Sequence, residues 1–316
     1  MPIGHITGME LAKDFYEACL PILQADIPDI LQQAAIGLVG EGSECFYCDD
    51  GISQDHDFGP GFCLWLPNDI LQTEALRIET ALQHLPQYFK GFPSRIIPEK
   101  QDGRVGALSI ENFYAFFTGL THPPKTWNEW FHIQEYQLAA CTNGEVFMDE
   151  AGIFSSWRTQ LLAFYPRDVL LKKISARCMV MAQTGQYNVP RCMSRRDVVA
   201  VMLAVARFAE AALSCVFLCN KRYMPFYKWA GTIARQLPIL GKEISSTLSI
   251  LATTKWDAHE NTKGIETIEC FCDQLATHLR SEQLSSVQHN WMWEHGEHVL
   301  QNIKEPALLR MNMLES

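Results

Sequence analysis

The chain has 316 residues, 47% of them hydrophobic and 20% charged, which excludes a disordered or fibrous protein and leaves room for two cored domains. A net charge of −10 excludes an extended nucleic-acid surface, and 11 scattered cysteines argue against a disulfide scaffold and for reduced thiols in a cytoplasm. Glu10, Lys13, Asp14 and Glu17 interrupt the N-terminal stretch, so no secretory signal is expected there.

In chain order, Thr7 and Glu10 form a capping box that opens a helix. Leu11, Phe15, Cys19 and Ile22 give it an apolar stripe, with a kink expected at Pro21. Strands are expected over 34–40 and 62–66, a helix over 70–85, short strands over 93–97 and 104–111, and a helix start from 112 to 120. THPPKTWNE breaks the pattern around 122–130, which divides the chain into domains 1–125 and 126–316. Beyond it the periodicity predicts helices over about 155–164, 167–184, 195–222, 226–236, 241–254, 262–282 and 288–303. Ser194 and Asp197 are the caps available to the longest. The apolar run 198–219 carries Arg207 and Glu210 midway, which a bilayer would penalise, so it is expected to be a buried core helix and not a membrane span.

The stretch 41–60, EGSECFYCDDGISQDHDFGP, carries the most chemistry. An apolar run, 34–39, leads into Gly42 and Ser43; after eleven intervening residues come Asp55, His56 and Asp57, and then a second apolar run. A turn of small residues lets backbone amides approach phosphate oxygens. Residues i and i+2 of an extended chain share a face, so Asp55 and Asp57 can hold a hard cation such as Mg²⁺, while His56 points the other way, into packing. The plain alternative is an acidic polar loop.

This pattern resembles the signature of the nucleotidyltransferase superfamily. More narrowly, residues 7–67 are similar to the N-terminal part of a bacterial family of unknown function assigned to that superfamily by its fold. The matching residues are Phe15, Tyr16, Pro21, Gly42, Ser43, Glu44, Asp49, Asp50, Ser53, Asp55, His56, Asp57, Gly59 and Pro60. GEVFMDEAG (144–152), YPRDV (165–169) and KRYMPFYKW (221–229) extend the likeness to nearly the whole chain. The resemblance implies an α+β protein: a nucleotidyltransferase-like mixed sheet with flanking helices, followed by an all-helical C-terminal domain. It implies a nucleoside triphosphate donor, ATP foremost, with Asp55 and Asp57 as catalytic metal ligands and Gly42 and Ser43 on the phosphates. Glu44 is expected behind them.

The superfamily usually takes a third carboxylate from a neighbouring strand. The strand expected over 103–113 offers Glu111 as a catalytic residue, or Gly106 at the equivalent position, in which case the usual base is absent. Asp149 and Glu150 are outside candidates, although MDEAG reads more naturally as a turn. Related two-domain enzymes place a helical-domain lysine on the triphosphate, and here Lys228 is the candidate, with Arg222 beside it and Tyr223 or Tyr227 near the base or acceptor. The alternative for this stretch is an aromatic cluster with solvated lysines. Thirteen of the 26 basic residues lie between Arg167 and Lys242, whereas 41–57 is acidic, a division that would suit a metal–triphosphate held between acidic and basic elements. Structural zinc is disfavoured, because the pairs Cys45 and Cys48, Cys270 and Cys272, and His295 and His298 each lack the remaining ligands.

Three functions follow. The first is Mg²⁺-dependent transfer of a nucleoside monophosphate to a hydroxyl of a small-molecule acceptor. The second is nucleotide binding by a catalytically degenerate member. The third is a toxin–antitoxin-like interaction with another macromolecule.

Overall fold

The computed structural model describes residues 6–54, 58–97, 104–257 and 262–315. The chain is α+β, with a small mixed sheet and a helical C-terminal region. It divides into two compact units: Met1–Pro124 with Tyr136–Ala163, and Lys125–Glu135 with Phe164–Ser316. The expected division at 125 is therefore crossed once, because residues 136–163 return to the first unit.

In the first unit, helix α1 (Gly8–Asp26) begins at the expected capping box: Thr7 Oγ1 accepts from the Glu10 amide, and the Glu10 carboxylate accepts from the Thr7 amide. Such a box contributes about 1 kcal/mol. The helix runs on through Pro21 and buries Leu11, Phe15, Cys19 and Leu23. Strands β1 (Ala35–Leu38) and β2 (Cys63–Leu66) follow. The expected helix over 70–85 is two helices that meet at Glu74, Asn68–Thr73 and α2 (Ala75–Gln83). Next come β3 (Gly106–Ser109), α3 (Ile110–Thr118), β4 (Glu145–Asp149) and α4 (Ile153–Leu162).

The sheet order is β3-β2-β1-β4. β1 is antiparallel to both of its neighbours, and β2 is parallel to β3. Successive residues of β2 face opposite sides, as a two-residue period requires. Leu64 and Leu66 join Ile36, Phe15 and Leu23 in the core under α1. Trp65 faces the other way and stacks on Phe154 of α4 at 4.1 Å, beside the Tyr114–Trp157 stack at 4.5 Å. Fully burying one such side chain stabilises by about 1.5–3 kcal/mol, so both faces hold the sheet in place.

Two expectations are corrected here. MDEAG is divided: Met148 and Asp149 end strand β4, which pairs with β1 across more than a hundred residues of chain, and the turn expected for the whole segment is confined to the bend at Glu150 and Ala151. The strand expected to end at 111 stops at Ser109, whose hydroxyl accepts from the Asn112 amide and caps α3, so Glu111 sits in a helix's first turn.

The second unit is helical. Helix α5 (Arg167–Met181) has buried residues on every side, including Lys172 and Lys173. The helical path continues through a π-turn at Ala182–Asn188 and the turn Val189–Ser194. Helix α6 (Val198–Cys219) is capped by Asp197, whose Oδ1 accepts from Ala200 N at 2.9 Å; Ser194 Oγ donates instead to the Pro190 carbonyl. This helix is long and apolar enough to cross a membrane, and 56% of its most apolar window is buried against the unit. Helices α7 (Lys263–Ser281) and α8 (Met292–Leu300) complete the core. Where α8 crosses α5, Ser175 Oγ donates to the Gly296 carbonyl at 2.8 Å. A Cβ at Gly296 would lie 2.8 Å from Met179 Cγ, so the crossing requires glycine.

Candidate functional site

The sheet register decides what can meet. Gly37 of β1 lies opposite Cys63 of β2, Cys63 opposite Gly106 of β3, and Leu38 opposite Glu145 of β4. The C-terminal end of β1 and the N-terminal ends of the other three strands therefore share one end of the sheet. β1 delivers the Gly42–Ser43 turn to that end. The turn is clamped by Asn143, which accepts from Gly40 N at 3.0 Å and donates to Gly40 O at 2.7 Å. The carbonyls of Gly42 and Ser43 accept from Cys45, Phe46 and Cys48, while the amides of residues 42–44 enter no backbone hydrogen bond among the described residues. The Glu44 side chain folds back so closely that a Cβ at Gly42 would collide with its carboxylate. An anion thus already rests against the turn's backbone, and Arg95 Nη1 pairs with it at 3.0 Å, both side chains largely buried.

The other carboxylates nearby have partners of their own. Asp49 Oδ2 accepts from Gly8 N at 2.7 Å, at the positive end of α1. Asp50 closes a turn onto Ile52 and Ser53, and Glu145 accepts from the Tyr47 hydroxyl at 2.7 Å. Asp55 and Asp57 lie outside the described residues, as does His56; the described chain resumes at Phe58 and enters β2 at Cys63. Among the described residues no group of three His, Cys, Asp or Glu side chains converges to hold a metal.

Glu111 is not brought to this end. It follows the C-terminal end of β3, at the far end of the sheet, and its Oε2 accepts from Asn68 N at 3.0 Å and Ser109 Oγ at 2.9 Å. That is a structural tie between two helix starts. At the Gly42–Ser43 end β3 offers Gly106, which has no side chain and a φ of +88°. Asp149, at the same far end as Glu111, accepts from Ser155 N at 2.7 Å. Cys45 is buried, His295 Nε2 lies 2.7 Å from the His289 carbonyl, and His298 Nδ1 lies 3.2 Å from Ser286 Oγ.

In the second unit KRYMPFYKW divides. Tyr223 is buried, stacked on Phe164 at 4.7 Å with its edge to Tyr165 at 5.3 Å, so it is a packing residue and does not present a nucleotide-binding face. Arg222 and Lys228 are exposed, and the Lys228 ammonium lies 4.3 Å over the neighbouring Trp229 ring.

A second polar cluster escaped the sequence reading. Glu135 is buried and accepts from Arg177 Nη2 at 3.0 Å and from Ser214 Oγ at 2.9 and 3.1 Å; Arg177 Nε also donates to Ser214 at 2.7 Å. One turn before Arg177, Lys173 is 2% exposed, its ammonium 5.2 Å from the Phe131 ring centre and 5.1 Å from that of Tyr165. Burial lowers the Lys173 pKa to about 8, Glu135 pulling it up and Arg177 pushing it down. The Tyr165 hydroxyl is buried without a hydrogen-bond partner, and burial raises its pKa. The sequence carried a partial signal: residues 167–181 lack a one-sided apolar stripe, so a helix formed there has no face marked out for solvent.

Residues 130–230 match the family model described as a domain of unknown function, DUF4037. That span holds Glu135, Tyr165, Lys173, Arg177 and Ser214 together with β4, and not the Gly42–Ser43 turn. No curated protein and no solved structure matches the chain.

Proposed function

We propose that the first unit is a nucleotidyltransferase-type domain. In this reading it holds a nucleoside triphosphate, ATP foremost, at the Gly42–Ser43 turn and moves the nucleoside monophosphate to a hydroxyl of a small-molecule acceptor. One observation carries the reading: the turn and the strand that follows Asp55–Asp57 share one end of a mixed sheet, and the turn's backbone already accommodates a carboxylate. Arg95, now paired with Glu44, is the cation placed to follow a phosphate that displaces that carboxylate. The described carboxylates do not by themselves fit a Mg²⁺ site, so the metal enters this proposal only through Asp55 and Asp57 of the sequence.

A second reading, nucleotide binding without transfer, is favoured by Gly106 at this end of β3 and by the placement of Glu111 at the other end. Thermal melting of the wild type and of the Asp55→Asn, Asp57→Asn double variant, with ATP or GTP and Mg²⁺, tests the shared claim. A ligand at a hundred times its Kd contributes about 2.7 kcal/mol, an easily measured rise in the wild type. The double variant should melt normally without ligand and lose the rise. Absence of any rise in the wild type, or an undiminished rise in the variant, refutes both readings. Pyrophosphate release with hydroxyl acceptors, in a protein that binds, separates transfer from binding alone.

A further inference from the structure

In the buried cluster of the second unit two donors, the Lys173 ammonium and the Tyr165 hydroxyl, have no hydrogen-bond acceptor among the described residues. Two cations, Lys173 and Arg177, face one carboxylate, Glu135. That carboxylate is already engaged: one oxygen takes bonds from Arg177 and Ser214, and the other takes a bond from Ser214. The Lys173 ammonium finds two aromatic faces, Phe131 and Tyr165, and among the described residues no hydrogen-bond acceptor. The Tyr165 hydroxyl, in the same cluster, is buried with no partner. A buried donor with no acceptor and a buried charge with no counter-charge are each costly. A water molecule would answer the hydrogen bonding and leave the charge; an anion would answer both.

We propose that the second unit binds a small anion, no larger than phosphate, at the Lys173 ammonium and the Tyr165 hydroxyl. The size limit follows from the packing. Tyr165 is packed among Trp130 at 5.9 Å, Phe164 at 4.9 Å and Tyr223 at 5.3 Å between ring centres, and both Tyr165 and Lys173 are almost fully buried, which restricts the proposed ligand to a small ion. Phosphate, a terminal carboxylate and a halide share the required chemistry: negative charge and acceptor lone pairs in a nearly dry site. The groups that face Lys173 are Glu135, Arg177, Phe131 and Tyr165, so the site titrates chiefly through Lys173 itself. The proposal does not depend on nucleotide binding by the first unit.

The test is thermal melting of the full chain against phosphate, acetate and chloride separately, at constant ionic strength, with a bulky organic sulfonate as the balancing anion. At pH 6.5 the wild type should show a saturable rise in melting temperature with at least one of the three. Lys173→Met should lose the saturable part and keep only the shallow, linear dependence that excluded salts give any protein. Tyr165→Phe, which changes one atom and guards against a misfolded lysine variant, should weaken the apparent affinity severalfold. At pH 9.5, where Lys173 is largely neutral, the wild type should respond like Lys173→Met. A purely linear response in the wild type overturns the proposal, as does a saturable one that survives both substitutions or the rise in pH. Any phosphate bound instead at the Gly42–Ser43 turn would survive both substitutions and be recognised by that.

Discussion

The sharpest consequence of the buried cluster is the effect of removing Glu135. Glu135 is 6% exposed and accepts from Arg177 Nη2 and from the single Ser214 hydroxyl, which lies within reach of both carboxylate oxygens. Glu135→Leu deletes the carboxylate that both cations face and leaves the buried Lys173 and the partly buried Arg177 without it. Breaking a buried pair from one side costs about 3–5 kcal/mol, because the surviving charge stays out of water. Ser214 keeps the Arg177 Nε donor on its oxygen, but its own buried O–H loses the Glu135 acceptor, which adds to the cost. Removing Arg177 as well, by Arg177→Met, takes away one uncompensated charge, so the double variant should be more stable than Glu135→Leu alone by at least about 2 kcal/mol. Urea unfolding followed by tryptophan fluorescence and circular dichroism measures this. With a slope of roughly 2 kcal/mol per molar, the single substitution should move the midpoint of the second unit down by about 2 M, and the double variant should recover part of it. A Glu135→Leu midpoint within about 0.5 M of wild type refutes the reasoning, as does a double variant whose loss equals the sum of the singles.

Two further outcomes are expected. Lys173 has a folded pKa of about 8 against about 10.4 for an unfolded lysine, so between those values the unfolded chain holds more protons and folding gains stability as pH rises, by roughly 3 kcal/mol in all. Buried thiols and phenols with raised pKa values pull the whole-protein curve the other way, so the quantity to measure is the stability difference between wild type and Lys173→Met from pH 7 to pH 10; a flat difference would falsify the buried titration. Glu111→Ala should lower the stability of the first unit by about 1–2 kcal/mol, through the lost acceptor for Asn68 N and Ser109 Oγ, and leave any nucleotide-induced rise in melting temperature intact. A normal melting point with that rise abolished would return Glu111 to the chemistry.

The features readable from the sequence are those whose hydrogen bonds close within a few residues. The Thr7–Glu10 capping box, the Asp197 cap and the periodicity of α6 are complete in a local window, and the structure carries all three. The placement of the Gly42–Ser43 turn just after β1 was also legible, because an apolar run that ends in small residues has few alternatives. The rest of the site depends on partners far away in the chain. Arg95 reaches Glu44 across 51 residues, and β4 pairs with β1 across more than a hundred, so no local pattern announces either. Glu111 is expected in the strand; the Ser109 cap, worth about 1 kcal/mol, turns the chain into a helix two residues earlier, while the parallel pairing of β3 with β2, which no local pattern announces, sets that end of the strand away from the Gly42–Ser43 turn. Lys173 and Arg177 are basic residues that a sequence assigns to solvent by default. Lys173 is buried and Arg177 only partly exposed because α5 is packed on nearly all sides, and only the tertiary contacts that surround a helix decide whether it has an outer face to give them.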